Sequence, residues 1–174
     1  MRATSVRTER LSIDPLVVED ADELFAALDH PDVGTHIGGP EMTTVEALRT
    51  RIGHLLEGSG RSDETWRNWV VRLTATDDVI GRLEATVYGG GTWAEVAYVF
   101  DPRRWGDGFA LESAGWMIDN LRAGGVTELW AAIHPDNARS VRLIERLGFI
   151  EVAPPPARPV GSYDEGDLLF VRGH

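Results

Sequence analysis

The feature that most constrains the fold is a change of hydrophobic period at Asp101-Pro102. Before this point three segments alternate apolar and polar side chains, which predicts strands at residues 68–73, 79–88 and 93–100. After it, apolar residues recur at helical spacing, at Ala110, Ala114, Met117 and Leu121. A short apolar run follows at residues 129–133. A strand, a helix and a second strand in this order predict a parallel crossover inside a mixed sheet.

The remaining elements fit an α/β architecture. The segment 10–13 alternates and predicts an early strand, and residues 168–171 predict a terminal one. Two helices are expected between the early strand and residue 68, one capped by Asp20 and one opened by the capping box Thr43-x-x-Glu46. A last helix is expected after Asp136 or Asn137 and should end at Gly148. With 174 residues, the chain is predicted to be one domain, 1–174.

Composition removes several kinds of chemistry. The chain has no cysteine, which excludes disulfides and zinc–thiolate sites. All 17 basic residues are arginines, so neither a lysine Schiff base nor a lysine-containing phosphate loop is available. The five histidines show no metal-ligand spacing, and we expect no metal cofactor.

The charge is strongly negative and unevenly distributed. A net charge of −11 argues against binding to nucleic acid or to an anionic membrane. No apolar run is long enough to span a bilayer, and a cytoplasmic location is expected. Residues 101–150 are nearly neutral, with six arginines against seven acidic residues. An anionic ligand would be repelled least in this segment, and the acidic remainder favours cationic partners.

Residues 99–110 carry the clearest chemical signal. A strand passes through a turn containing Gly106 and Gly108 directly into a helix. Such a turn can direct several backbone N–H groups towards one point at the positive end of the helix dipole, and glycine lets an anion come close. Arg103 and Arg104 add forked donors suited to phosphate oxygens. The third glycine of a dinucleotide-binding motif is absent, because Leu111 stands there, so a pyrophosphate site of another kind is predicted.

At these residues the sequence resembles the GNAT superfamily of acyl-CoA-dependent N-acyltransferases. Arg103-x-x-Gly106-x-Gly108 matches the family signature, and Asn137-x-x-Ser140 with Leu147-Gly148-Phe149 resembles its second block. Thr8-Glu9-Arg10-Leu11 is similar to the Rim-type branch, which acetylates protein N-termini. The resemblance implies a mixed sheet of about seven strands with about four helices. It also implies direct transfer of an acetyl group from acetyl-CoA, the cosubstrate, to a primary amine.

The resemblance implies a set of coenzyme-binding residues. The backbone of the strand that ends at residues 99–100 would pair with the pantetheine arm of the coenzyme, at the place where the parallel strands separate. The backbone amides of the glycine turn would hold the pyrophosphate. Side chains of the last helix would reach the arm and the phosphates. Asn137 would hydrogen-bond the arm, although a helix cap alone also explains it. The residues are Val99, Phe100, Arg103, Arg104, Gly106, Asp107, Gly108, Phe109, Ala110, Asn137, Arg139 and Arg142.

Two catalytic residues are predicted, a base and an acid. Glu95 is the first candidate for the base that takes the amine proton, and Glu84 is the alternative. If the three-glycine turn pairs Tyr88 with Thr92, the two glutamates lie on opposite faces, and a shift of one residue puts them on the same face. Many family members use a tyrosine acid where this chain has Ile144. Ser140 resembles the serine that the Rim-type branch places near the thiol of the coenzyme, where its hydroxyl could donate a hydrogen bond to the sulfur. Alternatively, the Ser140 hydroxyl only bonds the backbone of its own helix.

The acceptor is left open. The acidic charge favours a peptide N-terminus or a small cationic amine. We expect specificity to come from the two early helices and the loops 32–42 and 153–159, with His36, Trp66 and Tyr163 as candidate pocket residues. A non-catalytic acyl-CoA-binding or sensing domain of the same fold is the alternative function. The sequence allows a monomer or a homodimer.

Overall fold

The computed structural model describes residues 4–34 and 43–173. Within them the strands are β1 Val6–Arg7, β2 Leu11–Pro15, β3 Glu64–Leu73, β4 Val79–Tyr88, β5 Trp93–Phe100, β6 Glu128–Ile133, β7 Ile150–Val152 and β8 Leu168–Arg172. The α-helices are α1 Ala21–Leu28, α2 Val45–Glu57, α3 Phe109–Ala123 and α4 Ala138–Arg146. The elements expected after Asp101 are found in the expected order, with β7 as one additional strand between α4 and β8.

The strands form one mixed sheet in the order β1-β2-β3-β4-β5-β6-β8-β7. Every neighbouring pair is antiparallel except β5 and β6, which are parallel and are joined through α3. The described residues contain eight strands where about seven were expected. Strands β1 and β7 have only two and three residues, which is too short for an alternating pattern to be visible in the sequence.

Helices cover both faces of the sheet. On one face, α1 and α2 pack against the sheet through Leu24 and Ile52, which are completely buried. On the other face, Met117 and Leu121 of α3 and Ile144 of α4 are completely buried as well. The apolar spacing predicted after residue 110 thus forms the inward face of α3.

The cap of α2 differs from the expectation by one residue. Thr44, not Thr43, is the N-cap: it takes an extended backbone, and its side chain accepts a hydrogen bond of 3.1 Å from the N–H of Ala47. Glu46 then lies in the first turn and pairs with Arg49 instead of closing a capping box.

The register of β4 and β5 also differs by one residue from the pairing considered above. Tyr88 pairs with Trp93, because Thr92 belongs to the turn: its N–H bonds the carbonyl of Tyr88 at 3.1 Å, and its hydroxyl bonds Gly89. In this register Glu95 lies opposite Thr86. Glu84 and Glu95 consequently share one face of the sheet, and the arrangement on opposite faces is wrong.

Candidate functional site

The site begins at the turn between β5 and α3. Asp101 is buried at the end of β5, and its carboxylate accepts a 3.0 Å hydrogen bond from the N–H of Arg103, which fixes a short helical turn. The chain then passes Gly106 and Gly108, whose φ angles of 87° and 82° are unfavourable for any residue with a Cβ. These two glycines therefore set the direction in which the chain enters α3.

Backbone amides of this turn are available to a ligand. In the described part of the chain no hydrogen bond is made by the N–H groups of residues 106–108 or of the first three residues of α3. A Cβ at Gly106 would meet no atom within 4 Å, so the space beside this glycine is open. Free amides at the positive end of a 15-residue helix are able to bind an anion, and the pyrophosphate site at this turn stays a prediction.

Arg10 braces this turn from outside. Its guanidinium donates to the carbonyl of Asp107 and to the carboxylate of Glu112, both at 2.8 Å, and lies over the ring of Phe109. Glu112 also accepts a 2.6 Å hydrogen bond from the hydroxyl of Thr8. Burial acts to raise the pKa of Glu112, but the hydrogen bonds from Thr8 and Arg10 outweigh it and hold this pKa below its ordinary value. The sequence analysis missed this role of Arg10.

The parallel strands separate beyond a short paired segment. β5 and β6 pair only from Trp93–Glu128 to Glu95–Trp130. Past that point a cavity of about 360 Å³ opens between Val96–Val99 of β5 and Ala131–Ile133 of β6, and α4 lies beside it. The expected splay is confirmed, and we call this cavity the slot. It leaves one edge of β5 without a neighbouring strand.

Two further cavities adjoin the slot, one at each end. A cavity of about 80 Å³ reaches the turn before α3 and shares with the slot Tyr98, Val99, Asn137 and Ser140. A cavity of about 300 Å³ on the α2 side, which we call the outer cavity, shares with the slot Glu84, Val96, Ala97 and Ser162. The three cavities adjoin one another at these shared residues, and together we call them the groove.

Five of the twelve predicted coenzyme residues line this groove. The cavity next to the turn is lined by Val99, Phe100, Ala110, Asn137 and Arg139, and the guanidinium of Arg139 stacks 3.6 Å from the ring centre of Trp105. Asn137 caps α4 through a 3.2 Å hydrogen bond from the N–H of Ser140.

Three predicted arginines lie elsewhere. Arg103 donates to the carboxylate of Asp101 and to the carbonyl of Ala26, and with Arg104 it lines a separate depression beside α1. Arg104 lies 3.8 Å from Asp78. Arg142 is exposed on α4. Their role towards phosphates stays a prediction.

Glu95 is buried and holds a loop. Its two carboxylate oxygens accept hydrogen bonds of 2.8 and 2.7 Å from the N–H groups of Gly161 and Ser162. The carboxylate thus ties the loop before β8 to β5. It also lines the outer cavity.

Glu84 lies closer to the slot than Glu95 does. It is half-buried, pairs with the guanidinium of the buried Arg82, and has Arg51 at 4.0 Å. Its cross-strand neighbour is Ala97. Glu84 lines both the outer cavity and the slot, which Glu95 does not.

Other candidates are divided between the groove and the core. Trp66 lines the outer cavity, whereas Tyr163 packs against the buried cluster around Trp93. His36 lies outside the described residues. Tyr98, which the sequence analysis did not single out, lines both the slot and the cavity next to the turn.

Comparison with known proteins decides the family. A family model described as an acetyltransferase (GNAT) domain matches residues 10–150. The chain belongs to the GNAT acetyltransferase family. Among GNAT relatives, it is 28% identical to the uncharacterized N-acetyltransferase p20 of Bacillus licheniformis, over 82% of this chain and 80% of that protein.

Solved structures share the GNAT fold over nearly the whole chain. An acetyltransferase (GNAT family) from Bacillus anthracis superposes with a TM-score of 0.73 at 22% identity, over 97% of this chain and 96% of the other. RimL, a ribosomal L7/L12 alpha-N-protein acetyltransferase solved in complex with coenzyme A, gives a TM-score of 0.80 at 15% identity, with 98% of both chains covered. Over residues 4–34 and 43–173, no helix is long and apolar enough to cross a membrane, and no group of acidic and histidine side chains is arranged to hold a metal.

Proposed function

We propose that this GNAT protein transfers an acetyl group from acetyl-CoA to the primary amine of a cationic acceptor by direct attack. The observation that supports the proposal is the groove, which runs from Trp105 and Ala110, on either side of the free amides, to the outer cavity by way of the slot. Two ligands entering from its two ends would meet between β5 and β6.

The end near α3 suits the coenzyme. The free amides of residues 106–108 would hold the pyrophosphate. Beyond Glu95, β5 has no partner on the β6 side, so its backbone groups there would pair with the amides of the pantetheine arm. A strand N–H of the same edge would polarise the thioester carbonyl. The coenzyme A complex of RimL supports this choice of ligand.

The other end suits a positively charged amine. The slot is lined by four carboxylate side chains, from Glu84, Asp164, Glu165 and Asp167. The outer cavity adds Glu64 beside the aromatic rings of Trp66 and Tyr88. Burial, together with the negative charges of Glu95 and Glu64, raises the pKa of Tyr88, so its hydroxyl remains neutral. Carboxylates and aromatic rings together favour a cation.

The position of Glu84 favours it as the base. An amine about to attack must reach the slot, and Glu84 lines the slot as well as the outer cavity. A carboxylate there can accept the amine proton directly or through one water. Glu95, which the sequence analysis placed first, has both oxygens bound to the loop at Gly161 and Ser162 and would position that loop.

A thiol-release assay with a panel of primary amines tests both assignments. We expect Glu84→Gln to lower kcat by about 100-fold or more, because general-base catalysis contributes about 10²–10⁴. Glu95→Gln should mainly raise the KM for the amine, since an amide accepts at only one atom and the loop would loosen. Glu57→Gln, on the exposed end of α2, is the control and should match the unaltered protein. A loss of kcat with Glu95→Gln alone would reverse the two roles.

The same assay separates an enzyme from an acyl-CoA-binding domain. Thiol release that depends on the amine supports the transferase. Tight binding of CoA without amine-dependent turnover across the panel would instead support a non-catalytic sensor. The absence of a hydroxyl side chain at Ile144 is the feature that makes this comparison necessary.

A further inference from the structure

Two hydroxyl groups face each other where the slot meets the cavity next to the turn. The Oγ of Ser140 lies 3.3 Å from the Oη of Tyr98, and the Oη lies 3.4 Å from the carbonyl oxygen of Ser140. Both residues line both cavities. Tyr98 belongs to β5 and Ser140 to the first turn of α4, so the two hydroxyls meet because α4 packs beside β5.

Both hydroxyls keep the capacity to bind a third group. Their mutual contacts are longer than the distance of about 2.7–2.8 Å usual for O–H···O bonds, so neither hydroxyl is firmly engaged within the protein. Burial raises the pKa of Tyr98 to about 12. The Tyr98 hydroxyl consequently remains protonated at any working pH and is available as a hydrogen-bond donor.

The reaction proposed above needs a donor at this place. When the thioester breaks, negative charge collects on the sulfur of the coenzyme, and the arm carrying that sulfur would lie in the slot. Ile144, which faces the same slot, is aliphatic and completely buried and supplies no donor. Tyr98 and Ser140 place two hydroxyl donors in the lining of the slot, beside Ile144.

We propose that Tyr98 is a further catalytic residue, which together with Ser140 donates hydrogen bonds to the departing thiolate; this rests on the proposed function. The amine nitrogen forms the new bond to the acetyl carbon, and the carbon–sulfur bond breaks with its electron pair left on sulfur. The amine proton passes to the carboxylate of Glu84. The thiolate leaves held by the two hydroxyls and takes its proton from solvent, while Tyr98 keeps its own.

The pKa of the thiol of bound CoA tests this without knowledge of the acceptor. A thiolate absorbs in the ultraviolet, so a pH titration of the complex measures its ionisation, and a parallel titration with CoA lacking the sulfur atom removes the absorbance of the protein. A free thiol titrates at about 8.5. We expect bound CoA to titrate about one unit lower, because two donors stabilise its anion. In Tyr98→Phe and in Ser140→Ala, the pKa of the bound thiol should rise part of the way back towards that of the free thiol.

Control variants keep the test specific. Tyr98→Phe retains the ring and its packing, and Ser140→Ala provides a second variant on another element. Tyr163→Phe removes a tyrosine hydroxyl in the Trp93 cluster and should leave the thiol titration unchanged. In the thiol-release assay Tyr98→Phe should lower kcat by about 10-fold or more with little change in the KM for the coenzyme.

The possible failures are distinguishable. If Tyr98→Phe binds CoA as tightly as the unaltered protein and the bound thiol titrates at the same pH, the role of Tyr98 is refuted while the proposed function stands. If the unaltered protein does not bind CoA, the proposed function fails, and the role of Tyr98 fails with it.

Discussion

Replacing Gly106 by valine should abolish the stabilisation of the protein by CoA, and Gly125→Val provides a matched control. Both glycines have positive φ angles, 87° and 99°, and at both a Cβ would meet no atom within 4 Å. A side chain at either position therefore costs a similar amount of backbone strain, about 1–2 kcal/mol. The two positions lie beyond opposite ends of α3, which is about 22 Å long at 1.5 Å per residue.

The size of the effect follows from ligand linkage. CoA at a hundredfold excess over its dissociation constant should stabilise the unaltered protein by about 2.7 kcal/mol. For a domain of this size, that corresponds to a rise in Tm of roughly 5–11 °C. Gly125→Val should start from a lower Tm but show the same rise. Gly106→Val should start from a similarly lowered Tm and show almost none, because the new side chain fills the space in front of the free amides.

The comparison isolates the anion site from general destabilisation. Gly108 is a poorer choice, because a Cβ there would lie 3.3 Å from the Nη2 of Arg10 and would disturb the brace as well as the ligand. Melting curves with and without CoA, monitored by circular dichroism, suffice for the measurement. Equal rises in Tm for the two variants would show that the pyrophosphate binds elsewhere, and the placement of the coenzyme would have to be abandoned.

Two other expectations concern stability. The pKa of Glu112 is depressed in the folded protein, so its contribution to the free energy of unfolding is complete above the ordinary pKa of 4.5 and is lost as the pH falls through the folded pKa. Between about pH 6 and about pH 4, urea unfolding should therefore show a smaller decrease in stability for Glu112→Gln than for the unaltered protein. An identical decrease in the two proteins would contradict this account. Gly81→Ala should cost about 1–3 kcal/mol, because its Cβ would lie 2.5 Å from the carbonyl oxygen of Val99 and 2.6 Å from the ring of Phe100. Gly53→Ala on α2, where a Cβ meets nothing within 4 Å, should be neutral or stabilising and serves as its control in urea unfolding.

The parts of the fold that the sequence predicted are those with a local signal. The period change at Asp101, the glycines of the turn and the cap at Asn137 each involve residues within a few positions of one another, and all three are found in the structure. β1 and β7 carry no such signal because they are too short to show a period. The register of β4 and β5 depended on whether Thr92 joins the turn, which composition does not determine.

The features of the site that were missed depend on contacts between distant residues. The backbone donors to Glu95 come from a loop 66 and 67 residues further along the chain. Arg10 reaches the turn across 97 residues. Tyr98 and Ser140 are 42 residues apart. A single sequence indicates which residue types are present, but only the packing of β5 against α4 and the loop shows which of them share a space.

The distribution of charge gives the groove a direction. At the α3 end the carboxylate of Glu112 is bound by Arg10 and Thr8, and the adjoining cavity has one acidic residue in its lining, Asp32. At the other end carboxylates from β4 and from the loop before β8 line the slot. The coenzyme proposed above would therefore be repelled less at the first end than at the second, and a cationic amine would experience the reverse. In the proposed reaction the two ligands would meet in the slot beside Ala97, whose cross-strand neighbour is Glu84, and the hydroxyls of Tyr98 and Ser140 line the same slot.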